Sequence, residues 1–406
     1  MAISDHFSLA VNGIRKRSLR SWLTIIGIFI GIASLVSLVS LGQGLQTSVQ
    51  EQFVKLGANK VFISPGGFGP PGAFVGKLTA HDLAVVKRVS GVEVASPLTA
   101  SFVSLKFKNR VTSVQVQGLS LHGKERDVAF EANNLEIENG RAIKSNDKKK
   151  VMVGYSLAHD TGLFNDKLVR VGDTVAIEGR NFDVVGIIKK LGNPLEDRHV
   201  YVPLDDAFEI TGQKDRYDFI FVQVSEGEQP AVVAENIKTA MRRDRGLKKG
   251  EENFGVQTFE SISNTFDTIF LIVQAVIFGI AGISLVVGGI GIMNTMYTAV
   301  VERTKEIGIM KAVGAQNRDV LLIFLFESGL LGTAGGALGV VVGMSFTKII
   351  EIIARTVLGS TLIRAVFPTY LIVGALLFSF MVGAVSGVFP ALRASKLKPV
   401  DALRYE

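Results

Sequence analysis

Apolar runs punctuated by compact charged cassettes set the outline of this 406-residue chain. Four windows, 21–50, 268–301, 328–347 and 365–392, contain no Asp, Glu, Lys or Arg. A bilayer core about 30 Å thick is crossed by about 20 apolar helical residues. Each window supplies that many, so four membrane-spanning helices are predicted. The first window is also readable as a secretory signal, because Arg15, Lys16, Arg17 and Arg20 give it a basic lead. Its apolar stretch from Trp22 to Leu41 exceeds the usual signal core and no small-x-small cleavage site closes it, which favours a retained span.

Lys and Arg in short flanks resist translocation and so orient the helices. Basic residues precede the first window, Arg303, Lys305, Lys311 and Arg318 separate the second from the third, and Arg393, Lys396, Lys398 and Arg404 follow the fourth. Those three regions, and with them both termini, are expected in the cytoplasm. The connection between the third and fourth windows carries Lys348, Arg355 and Arg364, a thin margin, but four spans leave it only the outer side.

The long segment between the first two windows is expected outside, and its pattern is mixed α and β. VFIS at 61–64, VTSVQVQG at 111–118 and YDFIFVQVSE at 217–226 alternate like strands. TVAIEG and FDVVGII pair as a hairpin turning at Gly179, Arg180 and Asn181, and PAVVAENIKTAMRRD at 230–244 has helical spacing opened by proline. PGGFGPPGAFVG reads as a loop, and NGRAIKSNDKKK at 139–150 as a solvated basic loop. Leu45, Val49, Phe53 and Leu56, and likewise Phe259, Ile262, Phe266 and Ile269, recur at helical intervals, so the first two spans are expected to continue outward as amphipathic helices. Periodicity alone leaves open whether these extensions pair as a stalk or dock on the outer domain.

Composition narrows the function. At 48% hydrophobic residues and a mean hydropathy of +0.35, the chain is rich for a soluble protein. The net charge of +7 resides beside apolar runs and not in a stripe interleaved with aromatics, so a membrane explains it better than nucleic acid. There is no cysteine, hence no disulfide framework or thiolate metal site. His6, His81, His122, His159 and His199 are scattered, without HExxH or GxSxG context. The phosphate-loop pattern G-x-x-x-x-G-K-[ST] is absent, and GFGPPG at 67–72 has prolines and no following βαβ unit, so it reads as loop. Nothing marks an enzyme.

Two features inside the spans stand out. Gly332 with Gly336, and Gly339 with Gly343, recur every four residues and form a face on which helices can approach closely. Glu327 lies two turns into the third helix from Asp319. No second acid accompanies it inside the apolar windows, so it is expected to pack or pair near the cytoplasmic interface instead of relaying protons.

The cassette ERTKEIGIMKAVGA, 302–315, reads as a short amphipathic helix, with Ile307, Met310 and the aliphatic stem of Lys311 near one face, Val313 beside Met310, Glu302, Arg303, Lys305 and Glu306 exposed, and Gly314 as its stop. Its charges mix signs, so a protein groove suits it better than an anionic lipid surface. Together with RSLRSWLTIIGIFIGIA, GQG at 42–44, FESGLLGTAGGALG, GANKVFISPG, VGDTVAIEGRNFDVVGII and the terminal FPALRASKLKPVDALRYE, it gives a chain that resembles, over its whole length, permease subunits of MacB-like, FtsX-domain ABC transporters.

The resemblance implies an α-helical membrane protein with four transmembrane helices and a large α+β extracytoplasmic domain, porter-like with an inserted β-rich subdomain, between helices 1 and 2. The expected segments are 1–20 (cytoplasmic, amphipathic), 21–44 (helix 1), 45–265 (outer domain, insertion about 118–216), 266–298 (helix 2), 299–315 (coupling helix), 316–347 (helix 3), 348–366 (outer loop), 367–392 (helix 4) and 393–406 (tail). It further implies that Glu302, Arg303, Lys305, Glu306, Gly308, Met310, Lys311 and Gly314 dock a cytoplasmic ATPase dimer, which binds the ATP and Mg while this chain binds no cofactor. About 20 residues precede the first span, so the ATPase is expected on another polypeptide. A homodimer in the lipid of the cell membrane, working with an outer adaptor to export peptides, antibiotics or lipophilic compounds, is the leading expectation. A mechanotransmitter that moves no solute but acts on an outer enzyme or a lipoprotein is the second, and a membrane-anchored binding protein without ATP coupling, which leaves the cassette unexplained, the third.

Overall fold

The computed structural model describes residues 19–56, 59–66, 76–165, 167–357 and 359–403, and within the first helix the side chains of 26–52. Residues 1–18, most of the proline- and glycine-rich loop, the side chains of Phe53 and Leu56, and Arg404 lie outside that description. The chain divides into two units, one built from residues up to 46 with 268–355 and 363 onward, the other from 47–267 with 356–362.

Among the described residues, four long helices form the bulk of the first unit: α1 (Leu19–Leu56), α7 (Phe259–Glu302), α9 (Asn317–Thr356) and α10 (Thr369–Ser395). Each contains a stretch long and apolar enough to span a bilayer. At 1.5 Å per residue, α1 and α7 run about 57 and 66 Å, roughly twice the hydrocarbon thickness. Each is therefore continuous from a membrane-spanning part into the second unit, as the amphipathic periodicity indicated.

In lipid, helices associate chiefly through close packing, because the tails around them are as apolar as leucine. The glycines show where that happens. A methyl group on Gly332 would overlap the Ser379 carbonyl oxygen of α10, and one on Gly336 the Ser379 hydroxyl. About two turns further on, Gly339 and Gly343 lie against Ile32, Ala33 and Val36 of α1. Gly27 abuts Gly288, joining α1 to α7, and Gly289 abuts Ser386, joining α7 to α10. The glycine seam of α9 thus serves two neighbours within one chain. The Thr347 hydroxyl donates to the Ser37 hydroxyl at 3.1 Å, both fully buried or nearly so. By contrast, Leu271, Ile272, Val276, Ile283 and Ile290 of α7 stay exposed, an apolar stripe along the helix.

The second unit is a sheet in the order β10-β1-β9-β2-β3-β8-β5-β7-β4 with helices packed on it. Its strands are β1 (Lys60–Pro65), β2 (Val92–Phe107), β3 (Arg110–Leu119), β4 (Ile137–Gly140), β5 (Lys150–Val153), β6 (Thr174–Ile177), β7 (Arg180–Ile188), β8 (Val200–Pro203), β9 (Phe219–Val224) and β10 (Phe254–Thr258). The helices are α2 (Ala80–Lys87), α3 (Lys124–Ala132), α4 (Tyr155–His159), α5 (Leu204–Thr211) and α6 (Pro230–Asp244). Around β9, α6 and β10, Val222, Val224, Val233, Ile237 and Met241 form one core. Val103, Leu105, Val114, Val153, Phe164, Val175 and Val200 form another at the far end of the β2–β3 ribbon. The segment expected as an insertion, 118–216, therefore owns much of a core, yet its sheet is continuous with the rest through β3 and β8.

Local chemistry fixes these elements. Thr79 and Asp82 form a reciprocal capping box at the start of α2, satisfying two of the amides a helix leaves open. Asp82 is buried, and burial pushes its carboxyl up. Hydrogen bonds from Arg245 and Thr79 outweigh that and hold it below the usual carboxylate range. The β6–β7 hairpin turns on Glu178 and Gly179, at φ 45° and 77°. This two-residue turn needs left-handed backbone at both positions, so the turn sits one residue earlier than the sequence suggested, and Arg180 and Asn181 already belong to β7. The stretch 139–150 is not simply solvated either: Ile143 is buried, and Asp147 accepts from Arg141 and from the Lys144 amide, which tether it.

Candidate functional site

Between α7 and α9 the chain makes one short helix, α8 (Thr304–Ala312). The break follows Glu302, where Arg303 takes φ −104°, ψ 15°. The far end is a glycine stop: Gly314 has φ +107°, and the Ala315 amide reaches back to the Met310 carbonyl at 3.0 Å. That six-to-one hydrogen bond closes the orphan carbonyls of the last turn and requires a residue without a Cβ penalty. Asp319 then accepts from the Gln316 amide at 2.9 Å and opens α9.

Three sets of contacts clamp α8 to the membrane unit. Ile307 is fully buried in a core with Met296, Val320, Phe324, Ala391 and Ala394, with Met310 packed at its edge, and Thr304 and Gly308 are buried beside them. Arg303 donates through Nη1 to both carboxylate oxygens of Glu327, at 3.1 and 3.4 Å, and Glu327 is 1% exposed. Lys311 donates from Nζ to the carbonyl oxygens of Ser395 and Leu397, capping the end of α10, and burial pushes its ammonium pKa down. A last short helix, α11 (Pro399–Leu403), packs on α8 with Ala402 buried.

The residues named from the sequence therefore divide. Glu302, Lys305, Glu306 and Gly314 are exposed. Arg303, Gly308 and Lys311 face inward and hold the helix, and Met310 is half-buried. The sequence reading missed two residues of the outer ridge, Ile309 at 56% and Val313 at 85% exposure. Ile309 lies four residues from Lys305, three from Glu306 and four from Val313, the spacing of one helix face, and exposed Glu302 stands just before the break. The signal was present in that spacing, but Val313 was placed with Met310 on the inner side. Chemically the ridge is a mixed-sign polar rim around two bare aliphatic side chains. Such a surface suits a protein groove, where an apolar anchor is surrounded by complementary charge. Among the described residues no group of three or more His, Asp or Glu is placed to hold a metal ion.

Two family descriptions cover most of the chain: a MacB-like periplasmic core domain matches residues 21–240 and an FtsX-like permease C-terminal domain matches 278–399. An uncharacterized ABC transporter permease of Methanocaldococcus jannaschii, MJ1507, is 37% identical over 407 residues, spanning 100% of this chain and 99% of its own. The permease YknZ of Bacillus subtilis is 28% identical with full coverage of both. The macrolide export ATP-binding/permease protein MacB of Bdellovibrio bacteriovorus is 30% identical over 99% of this chain, which spans 62% of that longer protein. Among solved structures, the periplasmic region of MacB from Actinobacillus actinomycetemcomitans aligns with 54% of this chain and 97% of its own at 20% identity and a TM-score of 0.44.

Proposed function

This chain belongs to the MacB-like, FtsX-domain family of ABC transporter permeases, a multi-pass membrane protein, and we propose that it converts ATP hydrolysis on a separate cytoplasmic ATPase into motion of its outer domain. The ATP and Mg belong to that partner, and α8 is the seat it grips. The observation that carries this reading is the combination of an exposed ridge, Glu302, Lys305, Glu306, Ile309 and Val313, with clamps on its opposite side to both α9 and α10. A helix held only by solvent would swing when pushed. One tied to Glu327 and to the end of α10 passes a displacement to the membrane helices. Because α1 and α7 continue unbroken into the outer unit, tilting them moves the segments that border it.

Basic flanks at 303–318 and 393–398 support an orientation with α8 and both termini in the cytoplasm. The exposed apolar stripe of α7 supports a second copy of the permease as its neighbour, with lipid around the pair. Export of peptides, antibiotics or lipophilic compounds, with an outer adaptor protein, is the cargo reading, supported by the macrolide export named for one relative.

Co-purification with the cognate ATPase tests the seat. Ile309→Asp with Val313→Asp places two charges where the groove expects aliphatic carbon, and is expected to abolish association and the permease's stimulation of ATP hydrolysis. Undiminished association with a folded double variant would overturn the assignment.

A further inference from the structure

The outer unit contains a cavity of about 380 Å³, within the size range of small-molecule sites. Its walls come from parts of the chain far apart in sequence: Val49 of α1, Phe266 of α7, Leu362, and the Gln117, Glu196 and His199 region of the sheet. The lining mixes apolar side chains with the polar groups of Gln117, Glu196 and His199. The segment carrying Leu362 is anchored to the sheet by the Thr361 amide, which donates to the Gly192 carbonyl at 2.9 Å.

Gln117 is 8% exposed, and its amide nitrogen is committed to His199 Nδ1 at 2.9 Å and to the Gln115 side-chain oxygen at 3.4 Å. Its own oxygen is buried with no hydrogen-bond partner, a costly state for an amide carbonyl. With Nδ1 accepting, a neutral His199 carries its hydrogen on Nε2. Glu196 is the acid of the cavity. Burial pushes its carboxyl up, neighbouring Asp197 adds to that, and a hydrogen bond with the Asn193 side chain only partly offsets them. Among the described residues lining the cavity there is neither lysine nor arginine. The cavity is therefore bordered by Gln117 with its unused acceptor, by a poorly solvated carboxylate, and by aliphatic and aromatic side chains.

We propose that this cavity is a binding site for small amphipathic cations, an amine engaging Glu196 and the Gln117 oxygen while its apolar body packs on Val49, Phe266 and Leu362. Because α1 and α7 both supply wall, an occupant bridges the two helices and the sheet. The site does not depend on how the ATPase docks, so its failure would leave that reading untouched.

The probe is N,N-dimethyl-3-phenylpropylamine, with 3-phenylpropanol as its neutral counterpart, titrated into the full chain in lipid nanodiscs and corrected with empty nanodiscs. Saturable binding of the amine is expected, at least tenfold tighter than the alcohol and at least tenfold weakened by Glu196→Gln. Gln117→Leu should weaken the amine as well, in a chain that unfolds at an unchanged temperature. Should either variant fail to fold, the native chain still decides. The bound amine must slow carbodiimide labelling of Glu196 while exposed Glu226 labels at its usual rate. Non-saturable partitioning alone, equal binding of amine and alcohol, or no protection of Glu196 would overturn the proposal.

Discussion

Arg303→Met is the perturbation whose cost follows most directly from the geometry. Glu327 is 1% exposed, and Arg303, with 27% of its side chain exposed, bonds both its oxygens through one nitrogen. Two unit charges about 3 Å apart attract by roughly 5 kcal/mol at an effective dielectric of 20, and breaking a buried pair by removing one partner costs about 3–5 kcal/mol. Solvent reaching a quarter of the arginine lowers the expectation to about 2–4 kcal/mol. The second ion pair of Arg303, to the mostly exposed Glu306 at 3.8 Å, adds at most a few tenths of a kcal/mol. Removing both charges, Arg303→Met with Glu327→Leu, should recover most of the loss, because neither residue is then left charged against the other's absence. The assay is unfolding of the full chain in mixed micelles, followed by far-ultraviolet circular dichroism across the double-mutant cycle. A coupling energy near 2 kcal/mol or more is expected. If Arg303→Met costs the same with and without Glu327, the clamp carries no energy and α8 is not fastened to α9 in the way described.

Gly336→Ala should destabilise the helix bundle by about 1–3 kcal/mol in the same assay, since the new methyl meets the Ser379 side chain, and Ser379→Gly should restore part of it. His199 gives a pH signature: burial lowers its pKa from 6.5 to about 4, so the folded chain resists a proton that the unfolded chain accepts. Its stabilising contribution is therefore complete above pH 6.5 and is lost as pH falls toward 4. Between pH 7.5 and 4.5 the outer domain of the full chain should lose about 2–3 kcal/mol more than its His199→Gln variant. Parallel pH profiles for the two would contradict the burial of a neutral imidazole there.

Much of the architecture was legible because membranes impose a coarse grammar. Charge-free windows located all four long helices, and their 3.6-residue periodicity beyond the bilayer foretold that α1 and α7 continue. Helix ends were less legible. α9 runs to Thr356, past its own apolar window, through a turn in which Lys348 and Glu351 pair at i and i+3. The turn of β6 and β7 was misplaced by one residue because Glu178 adopts a left-handed conformation that glycine usually takes. Within α8 the composition announced a special helix, but not which charges look outward. Arg303 turns inward only because Glu327, 24 residues later, comes back to meet it, and Lys311, whose stem the spacing placed on the inner face, finds its carbonyl partners only because α10 ends beside it. No local pattern encodes those meetings, and the cavity of Gln117, Glu196 and His199 is of the same kind, assembled from distant segments.

The chain contains no cysteine, so Val313→Cys introduces a single reactive thiol at the crest of the ridge. A membrane-impermeant maleimide should label it in inverted vesicles stripped of the ATPase, spare it in intact cells, and lose access to it once the ATPase is added back. Labelling from the outer face, or inner-face labelling that the ATPase leaves unchanged, would contradict the docking of α8.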